Sequence, residues 1–321
     1  MGCRRIRNLI NLKIDKQNIY GFDIDLKKNK NAKKKYNINI IKKLDLKKKI
    51  FKKKSVFIIS TPPNKHLAYL KLAVKKKINF FVEASVILKG LKKIHNLCKK
   101  KKIINYTSST MNFYYGPQKI FEIIKNKKLG KILYWNYISG QNLNQWHPWE
   151  NIKDYYVSKK ETGGCREIVP FELSWLIRLF GPVKKFFSYK DKISNLDANI
   201  DDIYLIKILH KNKILGSLSI DVINQKATRL LYIIGEKKTL VWDDDAHNIK
   251  IYETRKKYKL IKLPKTYKNF KKSLNSDDFY KNELKDFLKC IKLNKNNYYN
   301  LSNDIKVLEL LNSIDQNAKI H

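Results

Sequence analysis

Residues 55–85, SVFIISTPPNKHLAYLKLAVKKKINFFVEAS, restrict the fold more than any other stretch of the chain. Val56 to Ile59 is an apolar run bounded by turn residues and too short for a buried helix, so it reads as a buried parallel strand. Thr61-Pro62-Pro63 stops it, because proline cannot donate to a sheet ladder and pushes its predecessor toward extended backbone. Asn64 is expected to cap a helix that carries Leu67, Leu70, Leu72, Ala73 and Val74 at helical spacing. Asn79 to Val82 is a second buried strand, closed by Glu83. Strand, helix and strand in this length form one right-handed crossover of a parallel sheet. Ligands of such sheets sit beyond the carboxyl ends of the strands, here Ser60 to His66 and Glu83 to Ser85.

Upstream, Gly2 to Leu9 (GCRRIRNL) reads as the opening of a helix, followed by a strand over 18–22 that ends in Asp23. A glycine at a helix start with an acidic residue about 20 positions later matches the second half of a dinucleotide fingerprint. Gly2 is then the third glycine, with Cys3 beside it, and Asp23 accepts from the adenosine ribose hydroxyls, which favours NAD over NADP. The first strand and the first two glycines of such a fingerprint are not in the chain, and the expectation is a start upstream of residue 1. A lysine-rich helix, a short strand near 38–41 and a basic connector follow over 26–54, with another helix over 88–101 and a strand over 103–106. A helix over 117–126 and a strand over 132–138 mark entry into a second domain, giving a division at 1–127 and 128–321.

Residues 141–164, QNLNQWHPWENIKDYYVSKKETGG, are too long and too aromatic for a spacer. Trp146, Trp149, Tyr155 and Tyr156 offer either an apolar platform for a sugar ring or packing against a sheet, while His147, Glu150 and Lys159 offer bonds to hydroxyls. A helix over 165–179 ends at Gly181-Pro182. From 183 to 263 the pattern turns to strands, with alternating segments at 202–209, 213–222, 228–234 and 239–242, and turns at Gly216, Gly235-Glu236 and Asp243 to Asp245. This predicts an open, mostly antiparallel sheet with one face available to a second subunit. Two amphipathic helices close the chain over 277–293 and 302–318, the second capped by Ser302-Asn303-Asp304.

STPPNKH followed by FVEAS resembles the strand-TPxxxH-helix-strand-EKP signature of the Gfo/Idh/MocA oxidoreductases. The resemblance implies a Rossmann-like domain joined to an α+β sheet domain, with NAD or NADP and a sugar-like substrate. On the cofactor side it implies Gly2, Cys3, Asp23, Ser60, Thr61, Pro62, Asn64, His66, Glu83 and Ala84. The family's lysine, second in EKP, is Ala84 here. The family's arginine before a phenylalanine is Asn112, its histidine is Phe171 and its later aspartate is Ser174. Acid–base work then falls to Glu167, Glu172, His147 or Lys159. WHPWE and the Lys-Glu-x-Gly-Gly run after it resemble a branch associated with surface-polysaccharide and sugar-nucleotide pathways. The expected activity is oxidation or reduction of a sugar or nucleotide-sugar hydroxyl. A non-catalytic descendant that binds a nucleotide sugar or a protein partner is the alternative.

Composition limits the partners. The formal charge is +41, but seven of the 69 basic residues are arginine, the side chain suited to bidentate phosphate and base contacts. The lysine runs at 33–35, 52–54, 75–77 and 99–102 accompany abundant Asn, Ile and Tyr and read as dispersed solvated faces, consistent with drift toward A/T-rich codons. No specific nucleic-acid partner is expected. No membrane span, no metal site and no disulfide framework is expected either, since no apolar run is long enough and Cys3, Cys98, Cys165 and Cys290 lack CxxC spacing. The expected setting is the cytoplasm.

Overall fold

The computed structural model describes residues 1–41, 51, 55–146, 151–154, 156–264 and 277–318. The chain divides into two units, each drawn from separated segments. The first takes residues 1–84, 89–110 and 267–304; the second takes 85–88, 111–266 and 305–321.

In the first unit, helix α1 (Gly2–Asn11) leads to strand β1 (Tyr20–Gly21), helix α2 (Leu26–Tyr36) and strand β2 (Asn39–Ile40). Strand β3 (Val56–Ile59), helix α3 (His66–Lys76), strand β4 (Asn79–Val82), helix α4 (Leu91–Lys101) and strand β5 (Asn105–Thr107) follow. β1 pairs with β2, and β3, β4 and β5 form a second sheet, every pair parallel. The expected crossover units are therefore present, in two sheets rather than one. α1 lies against both. Its Ile6 and Ile10 pack on Ile19, Ala32, Tyr36 and Ile38, and its Leu9 reaches both that cluster and the one around Phe81, Ile104 and Tyr106.

Two local expectations are corrected. Asn64 caps nothing: Pro63–Lys65 is a 3₁₀ turn that feeds α3 directly, with no side-chain cap. The cap of the last helix is Asn300, whose Oδ1 accepts from Ser302 N at 2.8 Å, rather than Ser302 to Asp304. Asp25 does cap α2, accepting from Lys27 N and Lys28 N. α3 and α4 end on Lys77 and Lys102 at φ 54, a left-handed conformation that costs a residue with Cβ about 1 kcal/mol. The lysine runs are also less dispersed than the sequence suggests, because those at 33–35, 75–77 and 99–102 all fall at helix carboxyl ends.

The second unit contains helix α5 (Tyr115–Lys125), strand β6 (Ile132–Gly140), helix α6 (Cys165–Phe180) and strands β7 (Val183–Asp191), β8 (Ile203–His210), β9 (Leu215–Asp221), β10 (Thr228–Gly235), β11 (Thr239–Asp243), β12 (Asn248–Tyr252) and β13 (Tyr258–Lys262). They form one eight-stranded sheet in the order β13-β12-β11-β10-β6-β9-β8-β7. Only β6 and β9 run parallel. Helix α7 (Asp278–Leu293) belongs to the first unit, and helix α8 (Leu301–Asn317) begins there and continues in the second.

Gly216, expected in a turn, lies inside β9 opposite Trp135. A Cβ there would come within 2.2 Å of the Trp135 ring, so glycine makes room for the indole. Trp135 stacks on Phe180, and Trp175 meets Tyr137 and Trp242 edge-on, which makes an aromatic core between α6 and the sheet. Aromatic pairs of this geometry add ~0.5–1.5 kcal/mol each beyond the area they bury.

Candidate functional site

At the carboxyl ends of β3 and β4 the first unit holds a buried ion cluster. Arg5, 1% exposed, grips Glu83 with two bonds, Nε to Oε1 at 2.7 Å and Nη2 to Oε2 at 2.8 Å. The same Nη2 donates to Glu283 of α7 at 2.9 Å, and the guanidinium lies 4.4 Å from the Phe81 ring centre. Burial pushes the Glu83 carboxyl up, but the charge and hydrogen bonds of Arg5 outweigh it, so Glu83 ends below its ordinary range. Glu283 goes the other way: burial raises it and the neighbouring Glu83 charge adds to that. Its Oε1 accepts from Ser109 N at 2.6 Å and from Ser108 Oγ at 3.0 Å. Removing one partner of such a buried cluster leaves an uncompensated charge, worth about 3–5 kcal/mol.

Arg5 thus joins α1 to Glu83 at the end of β4 and to α7, and Ser60 Oγ donates to Glu83 at 3.1 Å. Its neighbour Ala84 is exposed and offers no polar group. His66 is 2% exposed, and its Nε2 donates to the Thr61 carbonyl at 2.8 Å. Burial lowers the His66 pKa, so the ring holds the 61–66 loop as a neutral imidazole. Pro62 and Asn64 are exposed on that loop.

Several of these groups fit a dinucleotide. Thr61 Oγ1 is buried without a partner. No side chain caps α1, and Cys3 in its first turn is exposed. Asp23 stands just past β1 and uses Oδ1 to accept from Asp25 N at 2.9 Å, which leaves Oδ2 for ribose hydroxyls.

Of the four proposed acid–base groups, three lie among the described residues of the second unit. His147 lies outside the described residues, as do Trp149, Glu150 and Tyr155. Lys159 is exposed, its backbone bridged to Asn199. Glu172 is 0% exposed and saturated: Oε1 accepts from Ser139 Oγ and Arg229 Nε, Oε2 from Tyr137 Oη and Trp175 Nε1. Those four donors engage both of its oxygens and tie Glu172 between α6 and the sheet.

Glu167, in the first turn of α6, is different. Oε1 accepts from Tyr156 Oη at 2.7 Å, while Oε2 is out of solvent with no partner. Burial pushes this carboxyl up to about 7, against the smaller pull of the Tyr156 hydrogen bond. The loop fixes Tyr156 in turn: Thr162 Oγ1 donates to its carbonyl at 2.7 Å, and Gly163 N donates to Lys159 O at 2.8 Å. A Cβ on Gly163 would lie 1.8 Å from Val157 O, so this crossing admits only glycine. Arg166 ties the helix start to Asp315 at 2.8 Å and to Glu161 O at 2.6 Å. Phe171 and Ser174 are half-buried one and two turns further along α6, and Ser174 Oγ donates to the Phe171 carbonyl. Trp146 Nε1 is a second buried orphan of this unit.

Sequence reasoning missed Arg5, Glu283 and the pairing of Tyr156 with Glu167. Arg5 and Glu283 are 278 residues apart, so no local pattern joins them. The Tyr156 to Glu167 separation of 11 residues, across a Gly-Gly pair that must fold back, is a signal that was legible. Among the described residues no group of three or more His, Cys, Asp or Glu is placed to hold a metal, and no helix is long and apolar enough to cross a membrane.

The model of an oxidoreductase family's C-terminal α/β domain, that of the Gfo/Idh/MocA proteins, matches residues 122–319. Among solved structures, an oxidoreductase from Agrobacterium radiobacter in complex with NAD+, L-tartaric acid and magnesium superposes with a TM-score of 0.84 at 12% identity, over 99% of this chain and 93% of that one. A levoglucosan dehydrogenase in complex with NADH gives 0.79 at 12% identity, over 98% and 93%. The UDP-N-acetylglucosamine 3-dehydrogenase GnnA from Acidithiobacillus ferrooxidans gives 0.77 at 12% identity, over 99% and 94%. Likenesses at this identity establish the shared fold alone. No curated protein matches the chain.

Proposed function

Because the chain belongs to the Gfo/Idh/MocA oxidoreductase family, we propose that it is an NAD(P)-dependent oxidoreductase acting on a hydroxyl of a sugar or nucleotide sugar, with Glu167 as its acid–base group. One observation carries the assignment: a carboxyl poised at about 7, with one oxygen held by Tyr156 and the other unpartnered. A group of that pKa takes a hydroxyl proton and returns it near neutral pH. The usual histidine position holds Phe171, which cannot do so.

The bound dinucleotide would supply hydride acceptance and donation. Asp23 would take the adenosine ribose hydroxyls, favouring NAD, and Gly2 and Cys3 in the first turn of α1 would lie against the phosphates. Thr61 Oγ1 would gain the partner it lacks, on a loop held by His66. Glu167 would hold the substrate proton at Oε2, with Tyr156 fixing the carboxylate's orientation. The neighbours named for levoglucosan and UDP-N-acetylglucosamine support a sugar or nucleotide-sugar substrate, and the WHPWE loop supports a place in surface-polysaccharide or sugar metabolism in the cytoplasm. A second reading, a non-catalytic descendant that binds a nucleotide sugar or a protein partner, has one observation behind it, the loss of usual polar groups at Ala84, Phe171 and Ser174.

The outer face of the eight-stranded sheet would pair two copies. Leu209, Leu215, Tyr134, Ile234, Tyr252 and Tyr258 fall in one cross-strand row on that face, and Leu215, Ile234 and Tyr258 are largely exposed. Ile234→Asp should then lower the mass seen by sedimentation.

The function is tested by titrating NAD+ and NADP+ against tryptophan fluorescence, then following nicotinamide absorbance with levoglucosan, UDP-N-acetylglucosamine and a panel of free sugars. Saturable NAD+ binding with sugar-dependent reduction is expected. Binding of nucleotide sugar without turnover of any compound would establish the second reading instead.

A further inference from the structure

The first unit has a basic pole. α3 ends in Lys75, Lys76 and Lys77, and α4 in Lys99, Lys100, Lys101 and Lys102. The two ends touch: Lys101 Nζ donates to the Val74 carbonyl at 3.0 Å. Just beyond them the chain enters β4 and β5, whose starts are joined by Ile104 N to Asn79 Oδ1 and Phe80 N to Ile104 O. α7 brings Lys292 and Lys295 to the same edge, because Asn296 Oδ1 accepts from Asn105 N at 2.9 Å. Nine lysines from three helices thus meet at the amino ends of the parallel strands, opposite the carboxyl ends where Glu83, Ser60 and Thr61 lie.

A carboxylate does not balance them. Segments 65–82, 89–107 and 287–297 contain no Asp or Glu, the adjoining Asp286 is engaged by Tyr106 and Asn297, and none of the nine lysines forms an ion pair among the described residues. At the amino ends of β1 and β2 the pattern repeats with Lys13, Lys16 and Lys33 to Lys35, all exposed, against the single acid Asp15. A helix carboxyl end carries about half a negative charge, which one lysine offsets. Three or four per helix leave a large positive surplus.

We infer that this pole binds the phosphodiester backbone of nucleic acid without reading its sequence. Lysine ammonium groups neutralise phosphates as point charges and release counterions, and the set contains no arginine for bidentate base contacts. Docking of this kind of rim on a lipid surface draws on apolar side chains that enter the headgroup layer, and the stretch that carries Lys292 and Lys295 exposes just two large apolar groups, Leu293 and Tyr298, against nine lysines.

The test uses the full chain and a fluorescent single-stranded dT 30-mer, with a mixed-sequence 30-mer and phosphatidylserine vesicles in parallel, across a salt series. One variant replaces Lys75, Lys99, Lys100 and Lys295 by Gln. A control replaces Lys211, Lys213, Lys237 and Lys259, four exposed lysines of the second unit. Binding of both oligonucleotides with equal affinity is expected, falling with salt. The pole variant should flatten the log K against log salt slope by about 3, from roughly 0.7 per phosphate contact, while the control keeps the wild-type slope. Equal loss in both variants would assign the binding to net charge and overturn the pole. A preference between the two sequences, tighter binding to the vesicles, or no association at low salt would each overturn the partner.

Discussion

Glu167 and Glu172 lie on the same helix little more than one turn apart, and they illustrate opposite uses of a carboxylate. Glu172 faces the sheet, where Tyr137, Ser139, Trp175 and Arg229 give it four donors. Those bonds offset the cost of burying it. Glu167 has one donor, Tyr156, and a buried oxygen without any, and burial pushes it up to about 7. The two carboxylates differ in the number of their donors: Glu172 has four and Glu167 one.

Each carboxylate gives a way to break that contrast. Glu172→Ala should have the largest effect, because it takes the acceptor from the buried Tyr137 and Trp175 donors and empties a fully buried position. A loss of about 3–5 kcal/mol is expected in denaturant unfolding, and a well-folded, fully stable variant would remove the scaffold role. Glu167→Gln should leave folding nearly intact and slow turnover by about 10²–10⁴-fold. The sign of its stability effect is also set. The folded carboxyl titrates near 7 against an ordinary value of 4.5, so the stabilisation from the protonated form is complete below pH 4.5 and lost as pH rises through 7. The wild-type unfolding midpoint should fall across that window by more than that of the variant.

Tyr156→Phe sharpens the contrast from the other side. Its hydrogen bond lowers the Glu167 pKa, so its removal should move the pH profile of turnover upward and cost about tenfold in rate. A profile that stays in place would detach the tyrosine from the site. The smallest change, Thr162→Ala, removes the bond that pins the Tyr156 carbonyl and should cost about 1 kcal/mol of stability with a modest rate loss.

The crossover around Thr61-Pro62-Pro63 was legible because buried parallel strands are short apolar runs and proline marks their ends. Gly216 misled because glycine in a strand and glycine in a turn look alike until Trp135 is seen to cover it. Little in the local sequence separates Glu167 from Glu172, since three of the four donors of Glu172 lie on β6 and β10, 33 to 57 residues away, and only Trp175 is close by. The buried Arg5 cluster was hidden for the same reason, being closed by α7 from the far end of the chain. The lysine runs looked scattered because helix ends are periodic in sequence and become adjacent only after the sheet has formed.

The most direct test of the central claim is the titration of Glu167 itself, by carbon NMR of protein labelled at the glutamate carboxyls, with Glu167→Gln identifying the resonance. One signal, missing from the variant, is expected with a midpoint near 7. A Glu167 midpoint near 4.5, the ordinary glutamate value, would contradict it.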